Sequence, residues 1–198
     1  VSLGRIGAAI TDGRIGCDVA LVQLAPTDDP ARFAFAVTND YMREAVARAR
    51  LVIAEVNSAA PRTCGEDAIA IADIDVLVRT NRPLAMRLER APGETDRRIA
   101  AHVAELIEDG ATLQAGIGGV PDAVLPLLRD RRDLGYHAGL LGDGVAALMD
   151  AGVITNARKA SDRGRSVTAL ISGSAELLRF VDGNPAVSLR SSAYTNSV

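Results

Sequence analysis

The sequence predicts an α/β fold made of two open, mostly parallel units. Apolar runs of strand length alternate with helix-length segments along the 198 residues, which is the pattern of strand–helix–strand units in a parallel sheet. Hydrophobic residues make up 48% of the chain and aromatic residues only 3%, which is typical of aliphatic strands buried under helices. A polar stretch at residues 81–95, with two prolines and a glycine, predicts a boundary between units at residues 1–85 and 95–198.

The first unit contains apolar runs that predict strands and one amphipathic segment that predicts a helix. The helix is expected at residues 41–50, where apolar side chains recur at helical spacing. The strands are expected at residues 18–24, 33–37, 51–56 and 74–78, with the strand at 33–37 at an edge of the sheet.

The second unit is predicted to begin with a helix at residues 95–109, with Thr95 as its N-cap and Gly110 just past its end. A strand from Ala111 then enters a glycine loop. The loop is followed by a helix from Pro121 to residue 128, a turn at residues 134–139 and a helix at 145–150 capped by Asp143. A polar basic loop is expected at 156–165. The chain then continues with a strand at 166–171, a helix at 174–181 and a strand at 186–189.

The glycine loop is the strongest candidate for a ligand site. Gly116, Gly118 and Gly119 lie between the strand and the helix, where free backbone N–H groups can face a ligand and glycine permits its close approach. The loop has neither the GxGxxG dinucleotide fingerprint nor the Gly-Lys-Ser/Thr of a P-loop. The pattern alone therefore leaves two interpretations open, a ligand loop and an ordinary strand–helix turn.

Two polar residues end the strand at residues 51–56 and form a second candidate. Ligands in open α/β sheets bind at the carboxyl ends of strands, and this is the position of Glu55 and Asn57. Both side chains could equally cap a turn, so a structural role stays open as well.

Composition and charge exclude several classes of partner. The net charge is −3 and the arginines are scattered among acidic residues, so we expect no nucleic-acid partner. No apolar run reaches the length of a membrane span, and no secretory signal is visible, so a cytoplasmic protein without a membrane partner is expected. Cys17 and Cys64 lack metal-site spacing, which predicts free thiols and no metal. The chain starts at Val1 without methionine and stops at Val198, so both ends are expected to be cut.

Several spaced motifs, in order, resemble the acetyl-CoA hydrolase / 4-hydroxybutyrate CoA-transferase family. They are DVALVQLAPTD at 18–28, AEVN at 54–57, LQAGIGGVPDAVL at 113–125, DLGYH at 133–137, GVITN at 152–156, SGS at 172–174, FVDGNP at 180–185 and YTN at 194–196. The resemblance implies that residues 1–85 are the C-terminal part of the first CoA-transferase domain. Residues 95–198 would be the N-terminal part of the second, which is therefore incomplete.

The resemblance also implies a reaction and a set of binding residues. The family exchanges CoA between an acyl-CoA and a small carboxylic acid, such as acetate or 4-hydroxybutyrate, through a glutamyl-CoA intermediate, which is nucleophilic catalysis. Coenzyme A is then a substrate and no cofactor is needed. The residues expected to bind CoA or substrate are Gln114, Gly116, Gly118, Gly119, His137 and Asn57.

The family places its nucleophilic glutamate two residues after a histidine, and here that position is Gly139. A glycine has no carboxylate, so the resemblance predicts that this chain has no catalytic residue of its own. The alternative to a CoA-transferase or acyl-CoA hydrolase is thus a non-catalytic CoA- or acyl-CoA-binding remnant, or a partial subunit. Such a subunit would act either with further copies of this chain, as a homo-oligomer, or with a complementary C-terminal fragment. A gene fragment without a role of its own is the third interpretation.

His137, Arg158 and Lys159 leave further alternatives open. His137 could assist the acyl acceptor or be a hydrogen-bonded turn histidine. Arg158 and Lys159 could meet a CoA phosphate, but a solvated loop is the expected setting.

Overall fold

The computed structural model describes residues 1–65, 68–86 and 91–196. Its helices are α1 (Ile6–Thr11), α2 (Met42–Arg48), α3 (Glu94–Glu105), α4 (Gly119–Val124), α5 (Asp143–Asp150), α6 (Ala175–Val181) and α7 (Ser192–Thr195). Its strands are β1 (Val19–Pro26), β2 (Arg32–Ala34), β3 (Leu51–Asn57), β4 (Ala68–Ala70), β5 (Val76–Thr80), β6 (Thr112–Leu113), β7 (Gly135–Leu141), β8 (Ser166–Ile171) and β9 (Val187–Leu189). Short 3₁₀ helices lie at Leu3–Arg5, Ile71–Asp73 and Leu125–Leu128.

The first sheet is mixed and has the strand order β4-β2-β1-β3-β5. Strands β1, β3 and β5 run parallel, and Ile53 pairs with Leu21 on one side and Val76 on the other. Strands β2 and β4 join antiparallel beyond β1. Alternation puts Val22 and Ala54 in the core, whereas Leu21, on the opposite face, is 73% exposed.

The second sheet is fully parallel, in the order β6-β7-β8-β9. Its central strands bury Tyr136, Leu141 and Val167, which are almost inaccessible to solvent. The predicted α/β class is therefore confirmed, as one mixed and one parallel sheet. Buried apolar side chains of both sheets form one large core cluster, built mostly from aliphatic residues and alanine. A second, smaller cluster consists of Ala25, Ala34, Ala36, Ala60 and Leu84.

Residues 37–40 of the first half continue the edge of the second sheet. The Ile171 amide donates to the Val37 carbonyl at 2.8 Å, and the Asn39 amide donates to the Ala169 carbonyl at 3.0 Å. The Leu189 amide also donates to the Cys64 carbonyl at 2.7 Å. Two sheets thus lie on either side of residues 81–95, joined by backbone hydrogen bonds, and the division into domains stays a prediction.

Some predictions of secondary structure were wrong. The strand predicted at residues 33–37 is not at an edge of the sheet, because β2 lies between β4 and β1. Residues 134–139 are not a turn, because β7 pairs with β6 and β8 along this stretch. Thr95 is not the N-cap of α3, since Gly93 takes that position and donates its amide to the Asp96 carboxylate at 2.9 Å. Asp143 is the first residue of α5 rather than its cap, which is Gly142.

Within the described ranges, no helix has both the length and the hydropathy that crossing a membrane requires. Over the same residues, no three His, Cys, Asp or Glu side chains come together in a way that could hold a metal ion.

Candidate active site

The glycine loop leaves β6 and enters α4 at Gly119. Gly118 has φ of 145°, a backbone conformation that residues other than glycine rarely adopt. Pro121 lies in the first turn of α4, as predicted, where its missing N–H is not needed. A Cβ at Gly119 would overlap the Asp96 carboxylate of α3, so this glycine is required for close packing and has an acidic neighbour.

Gln114 and Gly116 are exposed and lie beside an apolar groove of about 170 Å³ between α3 and α4. Gly118 and Gly119 do not line that groove. The other walls of the groove are Val103, Ile107, Leu113, Val120, Val124 and Leu125, with Ala115 and Pro121. The loop therefore offers polar groups beside an apolar wall, which is the usual character of a small-molecule site.

Replacing Gly118 with valine is expected to destabilise the fold by about 1–3 kcal/mol, because a β-branched residue is strained at this φ. Gly116→Val is the matched control, since no atom lies within 4 Å of a Cβ there. Thermal unfolding of both variants checks the prediction. Equal melting temperatures would show that the loop tolerates any residue at position 118.

Strand β7 carries His137 and Gly139 on one face, because alternate residues of a strand point the same way. The His137 ring stacks on Tyr194 of α7, with 5.8 Å between ring centroids. The Arg190 guanidinium lies 4.6 Å from the centre of the same Tyr194 ring, and the Tyr194 hydroxyl donates to the Asp162 carboxylate at 2.8 Å. Together with Lys159, these residues form the His137 cluster (His137, Lys159, Asp162, Arg190, Tyr194).

The charges of the His137 cluster are mostly buried. Burial lowers the pKa of His137, and the Lys159 ammonium lowers it further, against opposing effects of Asp162 and a hydrogen bond to the Tyr194 backbone. Burial also lowers the pKa of Lys159. We therefore expect His137 to be neutral near pH 7, able both to donate and to accept a hydrogen bond.

Lys159 does not lie in a solvated loop, contrary to the prediction. It is 3% exposed, and its Nζ donates to the Tyr136 carbonyl at 3.0 Å and the Arg165 carbonyl at 2.7 Å. Arg158 is exposed, as predicted, and pairs with Asp133 at 3.3 Å. Sequence reasoning missed Asp162, Arg190 and Tyr194, although the YTN motif was a signal for Tyr194.

Gly139 is half-buried and has unfilled space beside it. No atom lies within 4 Å of the place that a Cβ would take, and its φ is outside the left-handed region. Gly135, at the start of the same strand, is different, since a Cβ there would lie 2.7 Å from Lys159 Cγ and 2.8 Å from Thr112 Oγ1. Position 139 therefore has room for a side chain that position 135 lacks.

Asp143, just after the C-terminal end of β7, connects helices α5 and α6. Its carboxylate accepts a hydrogen bond from the Ser174 amide at 3.0 Å and another from the Ser174 hydroxyl. A Cβ at Gly173 would overlap this carboxylate, so the glycine of the SGS motif at 172–174 leaves room for the Asp143 side chain. The carboxylate also borders a small cavity of about 30 Å³ shared with Gly116. These contacts tie α5 to α6, which is a structural role.

Asn57 is fully buried, and its hydrogen bonds stay within the first sheet. Its Nδ2 donates to the Arg82 carbonyl at 2.8 Å, and its Oδ1 accepts from the Ala59 and Arg82 amides at 3.0 and 3.1 Å. The described contacts do not bring it to the glycine loop or to the His137 cluster. The turn-capping interpretation fits these bonds.

Glu55 is held by four donors on three side chains. Arg82 donates through Nε and Nη2, both at 2.6 Å, Thr80 Oγ1 at 2.7 Å and Gln23 Nε2 at 2.9 Å. The Arg82, Thr80 and Gln23 hydrogen bonds, in that order, lower the pKa of Glu55 from 4.5 to about 2. These hydrogen-bond donors stabilise the charged form of the Glu55 carboxylate. Through them, the carboxylate connects the ends of β1, β3 and β5.

Lowering the pH is expected to weaken the fold through Glu55. Its pKa is lower in the folded than in the unfolded chain, so its stabilising effect is complete above about pH 4.5 and lost as the pH falls towards about 2. Glu55→Gln should flatten the pH dependence of the unfolding free energy in this window. Glu105→Gln, at an exposed position of α3, is the charge-matched control. Identical pH dependence in Glu55→Gln and the unmodified chain would contradict this.

Comparison with known proteins places these features in one family. Residues 3–86 match the model of the acetyl-CoA hydrolase/transferase N-terminal domain. The chain is 42% identical to 4-hydroxybutyrate coenzyme A transferase of Clostridium kluyveri over 98% of its own length and 45% of that protein. It is 34% identical to butyryl-CoA:acetate CoA-transferase of Anaerostipes caccae, over 91% of its own length and 42% of that protein. The crystal structure of 4-hydroxybutyrate CoA-transferase from Porphyromonas gingivalis superposes with a TM-score of 0.91 at 36% identity, over 98% of this chain and 50% of that one.

The fold and the ordered motifs define a CoA-transferase type of α/β protein. The chain belongs to the acetyl-CoA hydrolase / 4-hydroxybutyrate CoA-transferase family. It spans less than half the length of these two curated relatives.

Proposed function

We propose that this chain takes part in exchanging CoA between an acyl-CoA thioester and a small carboxylate, of the acetate or 4-hydroxybutyrate type. The observation that carries the proposal is the likeness to CoA-transferases along 98% of the chain. The printed names of those relatives describe transfer of CoA, and the family model adds acetyl-CoA hydrolysis. In acetyl-CoA hydrolysis, water would take the place of the acceptor carboxylate.

Two parts of the second sheet have roles in this proposal. The loop from Gln114 to Gly119 and the apolar groove beside it contribute to CoA binding. The His137 cluster faces the acyl group, with neutral His137 available for hydrogen bonding to the acid. The glycine loop follows β6, at the carboxyl edge where open α/β sheets bind ligands, and His137 lies within the neighbouring strand β7.

Catalysis through a glutamyl-CoA intermediate needs a carboxylate that position 139 lacks. The family reaction has the carboxylate attack the thioester, and glycine has no side chain to do so. This favours a second candidate function, a CoA- or acyl-CoA-binding subunit that completes a site only with a partner polypeptide or a second copy.

A radiolabel exchange assay separates the two functions. The chain is incubated with acetyl-CoA and labelled acetate, alone and with the part of the Clostridium kluyveri relative that lies outside the matched region. Label in acetyl-CoA only when both polypeptides are present supports the partial-subunit function, and label with the chain alone supports a complete transferase. No label in either mixture, together with no CoA binding, would contradict the proposal.

A further inference from the structure

The outer face of the first sheet is apolar and open to solvent. Alternate residues of a strand point the same way, and the register places Leu21 beside Ile53 and Ile53 beside Val76. Leu21 is 73% exposed, and Val19 and Val78 are 49% and 46% exposed. The outer face consists of Val19 and Leu21 of β1, Leu51 and Ile53 of β3, and Val76 and Val78 of β5. An exposed apolar patch that extends over three strands is typical of an interaction surface.

The sequence of these three strands is that of a sheet buried on both faces. Strands β1, β3 and β5 run parallel, and each begins with consecutive aliphatic residues instead of an apolar–polar alternation, namely VALV, LVIA and VLV. Such runs are typical of parallel strands that helices cover on both sides. The inner face has this cover, because Met42 and Val46 of α2 pack against the core that contains Val22 and Ala54. Within the part of the chain that the structure describes, the outer face has no equivalent cover, since its side chains remain exposed.

Charged side chains at the two ends of the outer face are already paired. At the amino end of β1 and β3, Arg50 Nε lies 3.1 Å from Asp18 Oδ1. At the carboxyl end of β3, Arg82 Nε lies 2.6 Å from Glu55 Oε1. Each pair is neutral as a whole, so the outer face does not attract a polyanion such as a nucleic acid or an anionic membrane surface. An apolar sheet face of this kind fits the apolar sides of helices, which form the neighbouring layer in α/β proteins.

More than half the length of the curated relatives lies outside the match to this chain. The match covers 45% of the Clostridium kluyveri protein and 42% of the Anaerostipes caccae protein. A polypeptide equivalent to that remaining length is therefore a source of the helical layer.

We propose that the outer face docks a separate polypeptide that presents the apolar sides of amphipathic helices, equivalent to the part of the curated relatives outside the match. This inference rests on the proposed function and deepens it, because it gives a partial subunit the surface through which its partner binds.

Co-expression of this chain with the part of the Clostridium kluyveri relative outside the match tests the docking surface. The chain carries the affinity tag, and light scattering gives the composition of the purified material. A stoichiometric complex is expected, in which hydroxyl radicals oxidise Leu21 and Val78 more slowly than in the free chain. Leu106 of the second half is 82% exposed and is the internal control, whose oxidation rate should be the same in both samples.

Leu21→Lys should break the complex without unfolding the chain. The dissociation constant, measured by dilution of the complex, is expected to rise about a hundredfold or more, because docking would bury an ammonium without a partner. The melting temperature of the free chain should be nearly unchanged, since position 21 is largely in water. Leu106→Lys is the matched control, because it makes the same change at an exposed leucine of the second half and should leave the dissociation constant unaltered.

Three results would overturn the inference. They are the absence of a complex on co-expression, undiminished oxidation of Leu21 within the complex, and equal dissociation constants for Leu21→Lys and Leu106→Lys. Self-association of the free chain that Leu21→Lys abolishes would overturn it as well, because the occupant of the outer face would then be a second copy of the chain.

CoA binding separates this inference from the proposed function. If CoA raises the melting temperature but Leu21→Lys forms the complex as well as the unmodified chain does, the docking surface is wrong and the proposed function stands. If the complex depends on Leu21 but neither binds CoA nor exchanges label, the docking surface stands without a CoA-transfer role.

Discussion

Incubation of the unmodified chain with acyl-CoA is expected to give no covalent CoA adduct. Under the proposed function, the carboxylate of a glutamyl-CoA intermediate would come from position 139, where this chain has glycine. Glu55 cannot replace it, because Arg82, Thr80 and Gln23 hold its oxygens in the first sheet. Borohydride trapping followed by peptide mass spectrometry checks this. An adduct on any carboxylate of the unmodified chain would show that the nucleophile lies elsewhere.

Gly139→Glu is the informative variant for the same prediction. A Cβ at this position meets no atom within 4 Å, so the side chain should fit without loss of stability. The carboxylate alone need not restore turnover, since losing a single oxyanion donor costs about a hundred- to a thousand-fold in rate. We expect the adduct only when Gly139→Glu is combined with the part of the relative outside the matched region. Gly16→Glu in the same mixture is the control for added charge.

Replacing Gly135 with valine is expected to destabilise the fold by about 3 kcal/mol, as overpacking in a core does. The new Cβ would push against Lys159 Cγ and Thr112 Oγ1, and moving Lys159 would break its hydrogen bonds to the Tyr136 and Arg165 carbonyls. An ammonium buried to this degree is costly without those acceptors. Chemical denaturation with a constant m-value measures the change.

Gly139→Val in the same strand is the matched control for Gly135→Val. It adds the same side chain in open space, and valine suits a strand, so stability should be nearly unchanged. Equal losses at both positions would mean that β7 has no free space beside Gly139.

Much of the fold could be predicted because it depends on local patterns. The strand at residues 166–171 was predicted to the residue, since alternating aliphatic side chains mark it. The helix at Ala175–Val181 was also predicted to within one residue. Ser174, predicted as its first residue, is its N-cap and accepts from the Glu176 and Leu177 amides.

Strand β7 was the main error, and its glycines explain why. Gly135 and Gly139 suggested a turn, yet neither has a positive φ. Gly135 is instead present because Lys159 packs against it, and that contact joins positions 24 residues apart. Spacing along the chain contains no signal for such a contact.

The His137 cluster could not be assembled from the sequence for the same reason. It combines His137 from β7, Asp162 from a loop and Tyr194 from α7, and only the tertiary fold brings them together. The glycine loop was found because its spacing is local. The ligand of the glycine loop still depends on tertiary contacts, which the sequence pattern does not contain.

Thermal unfolding in the presence of CoA tests the central claim most directly, namely that this chain keeps the CoA-binding capacity of its family. CoA and acetyl-CoA should raise the melting temperature progressively with concentration, because binding at a hundred times Kd stabilises the native state by about 2.7 kcal/mol. ADP should give a smaller rise, and Gly118→Val should reduce the response to CoA. An unchanged melting temperature at all CoA concentrations would contradict the account.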